Sequence, residues 1–188
     1  VDKSKIQNPE FNRHVIPGNN YRMSTINAAL ALGQLNNLDH LVNVRIYCAN
    51  KYEIICRENR DLCDIQENNN NTKSSYWAYA IILKNENDWG LFRRIFIDNG
   101  GLPFYAAWKL NNEEKALNFE NNKELERIYT HDQYEEYKKI YRDTSTPISK
   151  SLQKRLVLLR TNLWDTNILE TQIVALDKTF KALTEVRK

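Results

Sequence analysis

Five short runs between Val42 and Leu110 are rich in apolar, aromatic and β-branched residues, and polar residues separate them. They are VNVRIYC (42–48), YEIICRE (52–58), YWAYAIILK (76–84), WGLFRRIFID (89–98) and LPFYAAWKL (102–110). Residues of these kinds favour a pleated, half-buried surface. The pattern therefore predicts an antiparallel sheet of about five strands over roughly residues 42–110.

The first two runs have the alternation of a β-hairpin. If residues 49–51 form the loop, Ile46 pairs with Ile54 and Cys48 pairs with Tyr52, and one face of the hairpin is apolar throughout. The third run is apolar on both of its faces, which is typical of a central strand. The fifth run contains a proline, which lacks an N–H donor and so favours the edge of a sheet.

The apolar spacing changes to steps of three and four residues on both sides of this segment. From Ile26 to Leu41 the spacing predicts an amphipathic helix capped by Ser24 or Thr25. Further on, Thr130 and Gln133 have the spacing of a capping box, and Pro147 suits the first position of another helix.

Two offset apolar stripes follow, and they fit either one long helix or a helical hairpin whose second helix is capped by Asn167, with Glu170 three residues on. The stripes are Leu152, Leu156, Leu159 and Leu163, and then Leu169, Ile173, Leu176, Phe180 and Leu183. Together the patterns predict an α+β fold in which an N-terminal helix and a C-terminal helical region pack the antiparallel sheet. The expected organisation is an extended arm at 1–23, an α+β sheet domain at 24–112 and a helical region at 113–188, packed on or beside the sheet.

The composition is that of an ordinary globular protein. Of 188 residues, 27% are charged and 41% are hydrophobic, and asparagine is enriched, with a run of four at residues 68–71. No apolar run approaches the roughly 20 residues that a membrane helix needs, so we expect no transmembrane segment. The net charge of +3 is too small to supply many phosphate contacts, so we do not expect nucleic acid as the partner.

The three cysteines fit none of the C-x-x-C spacings of metal or redox sites. Cys48 and Cys56 would be too far apart in the hairpin, which leaves Cys56 and Cys63 as the one plausible disulfide pair. A disulfide would suit an exported protein, whereas three reduced cysteines would act as small apolar residues. The compartment stays open, with an exported protein slightly favoured over a cytoplasmic one.

No recognisable catalytic or metal-binding motif is present. The three histidines, His14, His40 and His131, lie in no known motif, and the many carboxylates fall on helical sequence whose polar face must be solvated. There is no phosphate-binding glycine loop and no nucleophile elbow. The sequence therefore predicts no catalytic residue, no metal ligand and no cofactor.

Adjacent arginines interrupt the apolar fourth run and are the polar feature that stands out most. Arg93 and Arg94 lie among aromatic residues, where a guanidinium can bind a carboxylate or phosphate bidentately, or can instead lie along the apolar face toward an acidic residue. Tryptophan is enriched at binding surfaces. We therefore take Arg93, Arg94, Trp77 and Trp108 as the predicted binding residues.

The segment with VNVRIYC, Cys56, Cys63 and the Trp77 strand resembles in part the sheet of minor pseudopilins. That resemblance covers about a third of the chain and gives residues 111–188 no counterpart, so no family is identified. The leading hypothesis is a non-enzymatic interaction or assembly protein with another protein as its partner. The alternatives are an enzyme whose pocket is made of dispersed residues, and a nucleic-acid-binding protein with a basic and aromatic surface. The oligomeric state is left open.

Overall fold

The computed structural model describes residues 23–69, 71–105, 108–120 and 122–187. These residues form two compact units. The sheet unit is made from residues of Met23–Ala106 and Lys154–Lys188, and the helical unit lies within Ala107–Gln153. The predicted extended arm, residues 1–23, lies outside the described residues except for Met23.

Helices and short strands alternate along the described part of the chain. The helices are α1 (Thr25–Leu35), α2 (Leu38–Glu58), α3 (Asp88–Asp98), α4 (His131–Asp143), α5 (Pro147–Gln153) and α6 (Thr166–Val186). The strands are β1 (Cys63–Ile65), β2 (Ala78–Leu83) and β3 (Leu156–Arg160). Three single 3-10 turns lie between α3 and α4, at Asn111–Glu113, Lys115–Leu117 and Leu125–Arg127.

β2 is the central strand of a three-stranded antiparallel sheet with the order β1-β2-β3. The third apolar run thus forms a central strand, as its two apolar faces predict. Alternate residues of β2, namely Tyr79, Ile81 and Leu83, are buried. Because residues two apart in a strand point to the same side, these three side chains form the packed face of the sheet.

Three helices supply the apolar layer of the sheet unit. α2 contacts β1, β2 and α6, while α3 packs along α6. The ring of Phe92 on α3 meets Phe180 on α6 at a centroid distance of 5.7 Å and meets Phe104 at 5.9 Å, both at steep angles. Edge-to-face contacts of this kind stabilise an aromatic core beyond the burial of area alone.

The helical unit has its own small core of Phe119, Leu125 and Tyr134. The Tyr134 hydroxyl donates a hydrogen bond to the Phe119 carbonyl, which joins α4 to the preceding turns. At the start of α4, Thr130 and Gln133 form the predicted capping box, with reciprocal bonds of 3.4 Å and 3.1 Å. Helix α5 begins at a proline, as the sequence also predicts.

The predicted hairpin of residues 42–58 is wrong, because these residues lie within α2. In the helix Cys48, Tyr52 and Cys56 follow one another at intervals of four residues and share the buried face. The same positions also alternate correctly for a strand, so the apolar pattern alone suits both structures. Packing on α6 and the sheet overrides the local preference of Val, Ile and Tyr for strands.

The fourth run, residues 89–98, is also wrongly predicted as a strand and forms α3. Phe92 and Phe96 lie one helical turn apart and are buried, whereas Arg93 and Arg94 are exposed. A strand would place Arg94 on the same side as both phenylalanines and bring its charge into the core. The helix separates the arginines from the apolar face.

The fifth run contributes an isolated bridge, Tyr105 with Leu158, and no strand among its described residues. The predicted helix through Leu152 to Leu163 is wrong as well, because α5 ends at Gln153 and β3 follows. Helix α6 begins at Thr166, with Asp165 as its N-cap. The fold is therefore mixed α and β, but its sheet has three strands and not about five.

The predicted helix from Ile26 to Leu41 is divided in two, since α1 ends at Leu35 and α2 begins at Leu38. Ser24 caps α1, as predicted, by accepting a bond from the Asn27 N–H. No residue of α1 is buried.

We expect Gly101→Ala to destabilise the protein by about 1–3 kcal/mol through overpacking. A Cβ at Gly101 would lie 2.4 Å from two ring carbons of Phe96 and 2.5 Å from the Phe96 carbonyl oxygen. The matched control is Gly90→Ala in α3, where the added methyl meets nothing within 4 Å. We expect that change to be neutral or to stabilise by up to about 1 kcal/mol. Urea unfolding followed by circular dichroism measures both, and equal midpoints would contradict the prediction.

Candidate functional site

Polar contacts of the sheet unit converge where α2 meets the start of β2 and the end of β3. An Arg45 side-chain nitrogen donates to the Trp77 carbonyl at 3.1 Å and to the Thr161 hydroxyl oxygen at 3.2 Å. The Thr161 hydroxyl in turn donates to the carbonyl of Tyr76. We name these four residues the Arg45 junction. It links three elements that are far apart in the sequence.

The same face of α2 continues these contacts toward the end of β3. The Cys48 thiol donates to the Leu163 carbonyl at 3.7 Å, and the Tyr52 hydroxyl donates to the Arg160 carbonyl at 3.0 Å. Arg45, Cys48 and Tyr52 are spaced by three and four residues, so they lie on one side of the helix. This spacing fixes α2 against the chain that leaves β3.

Tyr76 holds a strained backbone conformation beside the junction, with φ at +43°. Residues with a Cβ rarely adopt positive φ, and such strain persists only where surrounding contacts hold it. The Tyr76 hydroxyl accepts a hydrogen bond from the Asn68 side chain, and its ring packs 6.1 Å from that of Tyr79. Strained residues of this kind concentrate at functional sites, and Trp77 is the next residue in the chain.

An exposed aromatic stack lies directly beside the junction. The Trp77 ring is 56% exposed and stacks on Tyr105 at a centroid distance of 4.8 Å. The guanidinium of Arg160 lies 5.7 Å from the same Tyr105 ring, and its Nε donates to the Pro103 carbonyl at 2.7 Å. We name Trp77, Tyr105 and Arg160 the Trp77 stack. The flat Trp77 ring and the Arg160 cation both contact the Tyr105 ring.

The other predicted binding residues lie elsewhere. Arg93 and Arg94 are exposed on α3. Trp108 belongs to the helical unit, where its carbonyl accepts a hydrogen bond from Gln153 at 2.5 Å. A binding role for all four predicted residues, Trp77 included, stays a prediction.

Sequence reasoning missed Arg45, Thr161 and Tyr105, and it named Arg160 only as one of the basic residues of a nucleic-acid-binding surface. Their contacts join residues separated by more than thirty positions, and no local motif marks such pairs. The one usable signal was the aromatic richness of the third and fifth runs, which contain Trp77 and Tyr105.

The described residues contain no group of three or more His, Cys, Asp or Glu side chains that could hold a metal ion. Within those residues no helix has both the length and the apolar character needed to cross a bilayer. The predicted pair Cys56 and Cys63 carries free, buried thiols, as does Cys48.

Comparison with known proteins identifies a family of enzymes. Residues 3–98, just over half of the chain, match the sequence model of the DegT/DnrJ/EryC1/StrS aminotransferase family. The matched range includes α1, α2, β1, β2 and α3, and it ends at the last residue of α3. No curated protein matches the chain.

This match overturns the leading functional hypothesis. The prediction of a non-enzymatic interaction or assembly protein is wrong, because the matched family consists of aminotransferases. The alternative of an enzyme with dispersed site residues agrees better with the finding. The partial resemblance to pseudopilins is likewise not supported, since the matched range includes the residues on which it was based.

The described residues do not fit the cofactor that aminotransferases commonly use, pyridoxal phosphate. That group needs a lysine amine to bind it covalently and an acidic partner for its ring nitrogen, in a site closed to water. No lysine among the described residues is buried. Several lysines instead form surface ion pairs, such as Lys84 with Asp64 at 2.5 Å. The part of the chain that the structure describes therefore does not form this cofactor site.

We expect Thr161→Val to destabilise the protein by about 1–3 kcal/mol, because it leaves the Tyr76 carbonyl without the hydroxyl that donates to it. Thr179→Val is the matched control, since Thr179 is equally buried. Its hydroxyl bonds to the Ala175 carbonyl, which lies within a helix. We expect the control to cost less than about 1 kcal/mol. Chemical denaturation measures both variants, and equal losses would show that the junction has no special role.

Proposed function

The chain belongs to the DegT/DnrJ/EryC1/StrS aminotransferase family, and from this premise we propose that it takes part in enzymatic amino-group transfer. In such a reaction the amino group leaves a donor amine, which becomes a carbonyl compound. The same group enters a carbonyl acceptor, which becomes an amine. The match over residues 3–98 is the observation that supports the proposal.

The folding unit that serves this function is the whole sheet unit and not the matched residues alone. β2 lies in the matched range, but one of its edges pairs with β3, where Ile81 lies opposite Val157. The Phe92 ring of the matched range packs against Phe180 of α6. Without β3 and α6, the central strand would expose unpaired N–H and C=O groups and the aromatic core would be open.

Within the sheet unit, we propose the Trp77 stack as the surface that contacts substrate. Trp77 offers an exposed flat ring, and Arg160 adds a positive charge that suits a carboxylate or phosphate on the substrate. Hydrogen bonds fix the backbone at this point: Arg45 donates to the Trp77 carbonyl, and Thr161 donates to the carbonyl of Tyr76, whose backbone is strained. Such support reduces the freedom that the exposed ring would otherwise lose on binding.

We expect the full chain to convert glutamate to 2-oxoglutarate only when a carbonyl acceptor is present. Because the described residues do not form a pyridoxal phosphate site, reactions with and without added pyridoxal phosphate are run side by side to show whether the transfer depends on it. The readout is the amount of 2-oxoglutarate formed together with the mass of the aminated acceptor. Free pyridoxal phosphate and heat-unfolded chain are the controls, because the cofactor alone catalyses slow transfer. No transfer above these controls, across a panel of amino acid donors and keto-acid and keto-sugar acceptors, would overturn the proposed function.

We expect Trp77→Ala to raise the KM of the acceptor by about tenfold, equivalent to about 1.4 kcal/mol of lost binding, with little change in stability. Trp164→Ala is the matched control, because the Trp164 side chain is 53% exposed and Trp77 is 56% exposed. Steady-state kinetics and thermal unfolding are measured for both variants. An equal effect of the two substitutions on KM would remove the Trp77 stack from substrate binding.

A further inference from the structure

Two cysteines lie together where α2 ends and β1 begins. Cys56 is in the last turn of α2 and Cys63 is the first residue of β1, and both are 0% exposed. The chain between them turns at Asn59, whose N–H donates to the Cys56 carbonyl at 3.2 Å. The Asn59 carbonyl accepts from the Cys63 N–H at 3.1 Å. This turn returns β1 to the end of the helix.

The turn brings the two sulfurs next to each other. The Cys63 Sγ lies 3.9 Å from the Cys56 carbonyl oxygen and 3.6 Å from the Asn59 carbonyl oxygen. The Cys63 sulfur thus lies against the backbone of the residue that carries the second thiol. A disulfide between the two would need an S–S bond of about 2.05 Å.

The surroundings shift the pKa values of the two thiols in opposite directions. The hydrogen bond between the thiols lowers the pKa of Cys63 and raises the pKa of Cys56. Burial and the charge of Asp64 oppose the lowering of the pKa of Cys63, while the charges of Arg60 and Lys84 support it. The thiolate is the nucleophilic form of cysteine, and Cys63 stands beside the cations of Arg60 and Lys84, so we take Cys63 as the attacking sulfur and Cys56 as the resolving one.

A buried tyrosine hydroxyl of the central strand adds a further observation. Tyr79 is 1% exposed, and its hydroxyl has no hydrogen-bond partner among the described residues. Burial raises the pKa of Tyr79, and the charge of Cys56 is the next largest cause. A buried hydroxyl without a partner is a donor available to a sulfur that gains negative charge or an oxygen atom.

We propose that Cys56 and Cys63 are a redox-active pair that closes to a disulfide on reaction with hydrogen peroxide. The Cys63 thiolate attacks one peroxide oxygen, the O–O bond breaks, and a sulfenic acid and, after protonation, one water form. The Cys56 sulfur then displaces the sulfenic oxygen, and a second water leaves as the S–S bond forms. The two thiols lose two electrons in total, and the peroxide is reduced to two waters. A dithiol reductant reverses the reaction by exchange.

Cys48 provides an internal comparison. It is also 0% exposed and lies on α2, but eight residues before Cys56, or about 12 Å along the helix axis. Its thiol donates to the Leu163 carbonyl, and burial raises its pKa. We therefore expect Cys48 to stay reduced while the other two cysteines react.

The test treats the folded, fully reduced chain with a small excess of hydrogen peroxide and then alkylates the remaining thiols in denaturant. The three cysteines fall in separate tryptic peptides, 46–51, 52–57 and 61–73. We expect the intact mass to show one alkylated thiol and the loss of two hydrogens. Peptide mapping should then give a cross-link between 52–57 and 61–73. Three alkylated thiols, a link involving 46–51, or links between two chains would each overturn the proposal.

Variants separate the pair from general oxidation. Cys48→Ser should keep the intramolecular disulfide, whereas Cys56→Ser should lose it and leave Cys63 as a sulfenic acid that dimedone labels. Tyr79→Phe should keep the fold and lower the rate of disulfide formation by several-fold. The oxidised wild-type chain should also unfold at a higher temperature than the reduced chain, because the bond restricts the unfolded chain. A disulfide that persists in Cys56→Ser would refute the assignment.

Discussion

Burial of the inner face of β2 is the constraint on which the rest of the sheet unit depends. Tyr79, Ile81 and Leu83 can be buried only if both edges of the strand are paired and a layer of helices covers the face. β1 and β3 provide the pairing, α2 lies against β1 and β2, and α6 packs on α2 and α3. Since β3 lies more than seventy residues after β2, the sheet unit is built from distant parts of the chain.

Helix α2 connects the features to which we assign function. Arg45 in its first half and Tyr52 in its second half bind the ends of β2 and β3, and Cys56 in its last turn contacts Cys63. The Trp77 stack adjoins α2 at Arg45, and the cysteine pair lies at the end of α2. A change at either place acts on the same rigid element, although each proposal is tested by a separate measurement.

The family match and the chemistry of the described residues give different kinds of information. The match assigns the chain to an aminotransferase family. The described lysines, however, are exposed or half-buried, and none lies in a closed site that could hold a covalently bound cofactor. What the sheet unit does offer is a supported aromatic and cationic surface. Amino-group transfer and substrate contact are therefore proposed on separate observations, one from the sequence match and one from the geometry at Trp77.

The sequence by itself determined the features that depend on neighbouring residues. Local spacing or local apolar content accounts for five features: the cap at Ser24, the capping box at Thr130, the proline start of α5, the apolar stripe of α6 and the central position of β2. Only the tertiary structure decided that α2 and α3 are helices and that β3 is a strand. Residues such as Cys48 and Tyr52 share a face at four-residue spacing in a strand and in a helix alike, so local pattern could not distinguish the two. The contacts at Arg45 and Trp77 were beyond prediction for a related reason, because they join side chains that meet only after the distant strands have paired.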